Sequence, residues 1–177
     1  GVARLVERGF AAAGAPLDLA SLPRRVERFL AFYAADLSTR TRPFPGVEGV
    51  LDALAAAGWR LGVCTNKPTR LAVELLDALG LGPRFGAVVG GDAAPERKPH
   101  PASLFMALDR LGVPTAAAVF VGDSETDVLT ARAAGVPVAL VRHGYTAVPV
   151  EELNPDALVD DLSALPGVLA SLLPAAA

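Results

Sequence analysis

A chain of 177 residues, 52% hydrophobic and 20% charged, has the material for one packed domain with a small appendage and is not a disordered segment. A net charge of −3 with scattered arginines offers no basic face, so no nucleic-acid partner is expected. No apolar run reaches the roughly 20 residues of a membrane span, so no membrane partner is expected either. The single cysteine, Cys64, excludes an internal disulfide and fits a reducing, cytoplasmic setting.

The chain opens with two amphipathic helical patterns. Val2 to Ala13 places Leu5, Val6 and Phe10 at helical spacing, and Leu22 to Leu37 places Val26, Phe29, Leu30 and Tyr33 on one face. The polar stretch Ser38 to Pro45 reads as a linker. The pair is expected to form a small helical domain hinged to the rest, or a hairpin packed on it. From Gly46 helix and strand alternate. Helices are expected at Val47–Ala57, Thr69–Leu79, Pro101–Leu111, Val128–Ala134 and Leu162–Leu173. Strands are expected at Trp59–Cys64, Phe85–Val89, Ala116–Val121, Pro137–Val141 and, short, Ala157–Val159. Continuous apolar strands separated by helices predict an α/β fold, a Rossmann-like parallel sheet covered by helices on both faces. The Ala-rich end is expected to fray.

The stretch Val119 to Asp127 concentrates chemistry where a strand gives way to a helix. Asp123 falls on the turn and Asp127 near the helix start. Two carboxylates beside free backbone N–H groups suit Mg²⁺ and a phosphate. An N-cap and a favourable first-turn acid would also explain them. Only two of the 16 basic residues are lysines, Lys67 and Lys98, and each precedes a proline after a strand-like run. Lysine is a compact point charge suited to phosphate or carboxylate. Right-handed crossovers bring all strand carboxyl ends to one edge of a parallel sheet. Thr65-Asn66-Lys67, Lys98, and Asp123 with Asp127 therefore converge by topology, as phosphoryl transfer requires. Thr65 alone could be a turn or cap residue. His100 and His143 read as loop residues, and Cys64 reads as strand packing.

These segments resemble the haloacid dehalogenase superfamily of phosphohydrolases, most closely its bacterial phosphoglycolate phosphatases. Leu61 to Pro68 resembles the family's second motif. Val89 to Asp92 with Arg97 to Pro101 resembles the third, and Val119 to Gly135 the fourth; Gly144-Tyr145 also fits the subgroup. The resemblance implies that Thr65, with the Asn66 amide, binds the transferring phosphoryl group and that Lys98 steadies nucleophile and phosphate. It implies that Asp123 is a direct Mg²⁺ ligand and that Asp127 supports the metal. Lys67 and Asp92 are weaker candidates. It further implies Mg-dependent phosphomonoester hydrolysis through an aspartyl-phosphate, with 2-phosphoglycolate as substrate. Alternatives within the fold are pyrophosphatase, sugar-phosphate phosphatase and mutase chemistry. A phosphoacceptor signalling domain fits less well, because there the lysine follows the acceptor Asp. A non-catalytic phosphate-binding protein is the alternative of another class.

One departure is large. The family's nucleophile lies on its first strand in a motif like Asp-x-Asp-Gly-Thr, and these 177 residues contain no such motif. The expectation is that residues 1–43 are the remaining part of a helical cap and that 44–177 are an α/β core without its first strand. That strand would lie between Trp59–Cys64 and Ala116–Val121. The 177-residue chain by itself is then expected to be inactive. Oligomeric state is left open.

Overall fold

The structure, a computed structural model, describes residues 2–15, 17–144, 146 and 148–173. The chain divides into two units, Gly1–Arg42 and Pro43–Ala177. In the first, α1 (Val2–Ala12) packs on α2 (Leu22–Ala35). Val6 is the buried residue of α1, and the Arg25 guanidinium lies 5.3 Å from the centre of the Phe10 ring. Helix α2 stops two residues short of the predicted end, where Asp36 leaves helical geometry (φ −139°). Its amphipathic face is present, with Phe29 and Tyr33 stacked at 6.1 Å, yet no residue of α2 is buried.

The second unit follows the predicted alternation: α3 (Val47–Ala56), β1 (Gly62–Cys64), α4 (Thr69–Ala78), β2 (Ala87–Val89), α5 (Ala102–Leu111), β3 (Phe120–Gly122), α6 (Glu125–Ala134), β4 (Val138–Val141), β5 (Ala157–Val159) and α7 (Leu165–Leu172). Every pairing is parallel. Both faces of β4 are covered, and the side-chain period of two decides which way each residue points. Val138 and Leu140 join Leu104, Leu108, Val128 and Ala131 of α5 and α6. Ala139 joins Val50, Leu54, Val159, Leu165 and Leu169, on the side of α3 and α7.

Several boundaries differ from the sequence reading: β1 begins at Gly62 rather than Trp59 and β2 at Ala87 rather than Phe85. The apolar run at Ala116 is not yet strand: Thr115–Ala117 is a 3-10 turn after Pro114, and β3 begins only at Phe120. An apolar run marks burial but does not by itself choose strand over turn. Helix α6 starts three residues earlier than expected, because Ser124 takes the extended N-cap conformation and Glu125 and Asp127 sit favourably in its first turn. The last helix begins at Leu165. Ahead of it Leu162–Ala164 is a 3-10 turn, whose entry is fixed by the Ser163 N–H donating to Asp161 at 2.9 Å.

The strands form two sheets, β1-β2 and β3-β4-β5, and β1 does not pair with β3. An apolar cleft of about 700 Å³ runs between them, walled by residues including Leu61, Val63, Leu104, Leu108, Val119 and Phe120.

Candidate functional site

The site grows from the carboxyl ends of β1 and β3, where backbone leaves the sheets and exposes polar groups. Lys98, from the loop after β2, donates from Nζ to Asp127 Oδ1 at 2.7 Å and to the Cys64 carbonyl at 3.0 Å. The pair is buried, with side-chain exposures of 10% and 7%. It ties the loop of the two-stranded sheet to the first helical turn after the three-stranded one. The other oxygen of Asp127, Oδ2, accepts from Ser124 Oγ at 2.7 Å and from the Asp123 N–H at 3.1 Å. Burial pushes the Asp127 carboxyl up, but Lys98 and these donors outweigh it and hold it below the usual carboxylate range. Asp127 is therefore much more than a first-turn acid. An ammonium has three donors; two are committed here, and the third has no protein acceptor among the described residues.

The turn after β1 is held to the same lysine. Asn66 Nδ2 donates to the Lys98 carbonyl at 3.0 Å, while Asn66 Oδ1 is buried without a partner among the described residues. Thr65 Oγ1 accepts the Lys67 N–H at 3.2 Å, so its hydroxyl serves the turn and still has its proton to donate. Thr65, Asn66, Lys98, Asp123 and Asp127 thus lie on one connected polar cluster. Two glycines set its spacing. A Cβ at Gly122 would lie 2.3 Å from Asp127 Cβ, and one at Gly144 would lie 2.2 Å from the Asp123 carbonyl oxygen. Replacing Gly144 with Ala should push the Asp123 loop outward. The check is a divalent-cation titration, in which the variant should bind Mn²⁺ at least about tenfold more weakly than the parent chain.

Asp92 is placed elsewhere. Its Oδ1 accepts from both the N–H and the hydroxyl of Thr69, each at 2.7 Å, and the hydroxyl bond is the main cause that holds its carboxyl below the usual range. Thr69 Oγ1 in turn accepts the Gly90 N–H at 3.1 Å, so Asp92 and Thr69 latch the β1 and β2 loops together. Thr69 and Ser103 carry structural roles that sequence reasoning missed, whereas Ser124 takes the N-cap position that a serine before an acidic turn suggests. Burial raises the Cys64 thiol, which lies 3.3 Å from Ser103 Oγ; it is a packing residue, as its strand position suggested. His100 accepts the Ala102 N–H and pairs with Glu96 as a turn residue. His143 lies beside Phe44. Tyr145 and the Ala-rich end fall outside the described residues.

The donor set fits a hard cation. Among the described residues no three His, Cys, Asp or Glu side chains converge, which is unlike a protein-caged zinc site. Mg²⁺ needs only one or two carboxylates, completing its shell with water and phosphate oxygens.

Residues 13–141 match the family model described as haloacid dehalogenase-like hydrolase, and the chain belongs to that family. Within it the chain falls among the phosphatases. The phosphoglycolate phosphatase of Caulobacter vibrioides is 47% identical over 173 residues, covering 98% of this chain and 73% of that protein. The one from Rhodospirillum rubrum is 48% identical over 169 residues, covering 93% and 70%. The crystal structure of a predicted phosphoglycolate phosphatase from Haemophilus somnus 129pt superimposes with a TM-score of 0.84 at 32% identity, covering 94% of this chain and 75% of that one. The α/β fold with parallel strands between helices is that of these phosphatases. No helix among the described residues is long and apolar enough to cross a membrane.

Proposed function

We propose that the chain carries the phosphate-binding and metal-binding half of a Mg-dependent phosphomonoesterase acting on 2-phosphoglycolate through an aspartyl-phosphate. The observation that carries this reading is the buried Lys98, fixed by Asp127 and the Cys64 carbonyl with one donor left over at the meeting point of two strand ends. The substrate comes from the relatives' names. In this reading Lys98 neutralises phosphoryl charge. The Thr65 hydroxyl and the Asn66 turn hold its oxygens, and Lys67 stands at the rim of the same turn. Asp123 holds the metal, and Asp127 fixes both Lys98 and the Asp123 backbone. Both Asp127 oxygens are engaged by protein donors, which favours this supporting role over direct ligation. Bound Mg²⁺ would neutralise charge on the phosphate oxygens.

The attacking carboxylate is not among these residues, and we place it on a strand lying between β1 and β3. Residues 1–43 would then be the remaining part of a small helical cap, and the working compartment is the cytoplasm. The test uses the chain joined at Gly1 to the segment of the Caulobacter relative that has no counterpart here. Phosphate release from 2-phosphoglycolate should exceed that from pyrophosphate or a hexose phosphate. Asp123→Asn should lower Mg-dependent turnover by at least about 100-fold. Full activity in that variant would remove the metal role.

A further inference from the structure

The turn after β1 and Lys98 are joined by hydrogen bonds of opposite sense. Lys98 Nζ donates to the Cys64 carbonyl at 3.0 Å, and Asn66 Nδ2 donates to the Lys98 carbonyl at 3.0 Å. One bond holds the tip of the lysine and the other holds its backbone, so the stem between them is fixed at both ends. The amide that does this is left in an unfavourable state, because Asn66 Oδ1 is buried with no partner among the described residues. Buried acceptors are nearly always paired, so an unpaired one calls for a reason. Turning the amide over would set Oδ1 against the Lys98 carbonyl oxygen, acceptor against acceptor. The turn is also pinned against shifting toward a donor. The Thr65 N–H donates to the Val89 carbonyl at 3.0 Å, and the Gly91 N–H donates to the Lys67 carbonyl at 2.9 Å. Gly91 lies so close that a Cβ there would meet the Asn66 carbonyl oxygen at 2.8 Å.

We infer that Asn66 is a positioning residue: its side chain fixes where the Lys98 ammonium sits, and the orphaned Oδ1 is the energetic consequence of that placement. The side chain is poorly suited to hold phosphate itself. Oδ1 only accepts, and a phosphate dianion has no proton to give it, while Nδ2 is turned to the Lys98 carbonyl. For the fold alone an apolar side chain of the same shape would serve as well, because removing a donor together with an unpaired acceptor is close to neutral or stabilising. The placement of the ammonium stands on these contacts. Its use for a phosphate rests on the proposed function, so the two are read separately.

The experiment compares the 177-residue chain with Asn66→Leu, which keeps the shape of the side chain, and with Asn66→Ala. Because the chain has only two lysines, isotope-labelled lysine yields two ammonium signals by magnetic resonance, and Lys67→Met identifies the one from Lys98. In both Asn66 variants the Lys98 ammonium protons should exchange with water at least about tenfold faster, while the urea midpoint of at least one variant stays level or rises. Inorganic phosphate, followed by the same signal, should bind both variants at least about tenfold more weakly than the parent chain. Unchanged exchange in both variants overturns the inference. Faster exchange with a fallen midpoint in both also overturns it, since Asn66 would then be an ordinary support of the fold. Equal phosphate affinity in parent and variants overturns it as well. If the parent chain itself binds no phosphate, the phosphate reading falls, and the exchange result still decides the placement.

Discussion

Lys98→Met should destabilise the chain by about 3–5 kcal/mol, the cost of leaving a buried carboxylate without its ion-pair partner. Methionine keeps the apolar stem and its contact with the Phe120 ring, over which the ammonium now lies at 5.3 Å, so little packing is lost. What remains is Asp127, 7% exposed, with only Ser124 Oγ and the Asp123 N–H to hold its charge. Domains of this size are stable by about 5–15 kcal/mol, so the variant should sit near the limit of folding. Adding Asp127→Asn should recover part of the loss, because the unpaired charge is gone. Urea unfolding of the three variants measures this. Equal stability of Lys98→Met and the parent chain would mean that the pair contributes nothing.

The same pair sets the acid limb. The folded Asp127 carboxyl lies below its ordinary value, so its contribution is complete above the unfolded value, near pH 4. It is lost as pH falls through the folded value. In Lys98→Met the main opponent of burial is removed, and the slope of stability against pH at the acid end should flatten. A denaturant midpoint followed from pH 6 to pH 3 reads this directly.

Much of the fold was legible because its signals are local. Apolar runs of strand length between helical patterns gave the order of elements and the parallel arrangement, and Ala157–Val159 came out where it was read. The Gly at 135 closes α6 at φ 69°, a conformation its lack of a Cβ permits. What stayed hidden depended on partners far apart in sequence. Asp127 reads locally as an acid in a first turn, yet its main partner is 29 residues away. Asp92 sits in a loop that looked like part of the phosphate motif, and its carboxylate instead latches Thr69, 23 residues back. The limits of β3 were misread because Ala116 and Ala117 are small enough for turn or strand, and Pro114 decides for the turn. Topology alone placed Thr65, Lys98 and Asp127 at one sheet edge; how they are tied together needed side-chain geometry.

The split between the sheets bears most directly on activity. On the proposed reading, a site with Lys98, Thr65 and Asp123 in place but without an attacking carboxylate would bind and polarise phosphate without breaking its ester. Covalent catalysis by a carboxylate is what a phosphatase of this family is proposed to add. The decisive measurement is Mg²⁺-dependent phosphate release from 2-phosphoglycolate by two proteins at equal concentration, the 177-residue chain and the same chain joined at Gly1 to the unmatched segment of its Caulobacter relative. The joined protein should turn over at a rate of at least about 1 per second, within the ordinary range for enzymes, and the chain alone should stay at the buffer rate. Turnover by the 177-residue chain alone, abolished by Lys98→Met, would contradict the assignment of the nucleophile to a strand outside these residues.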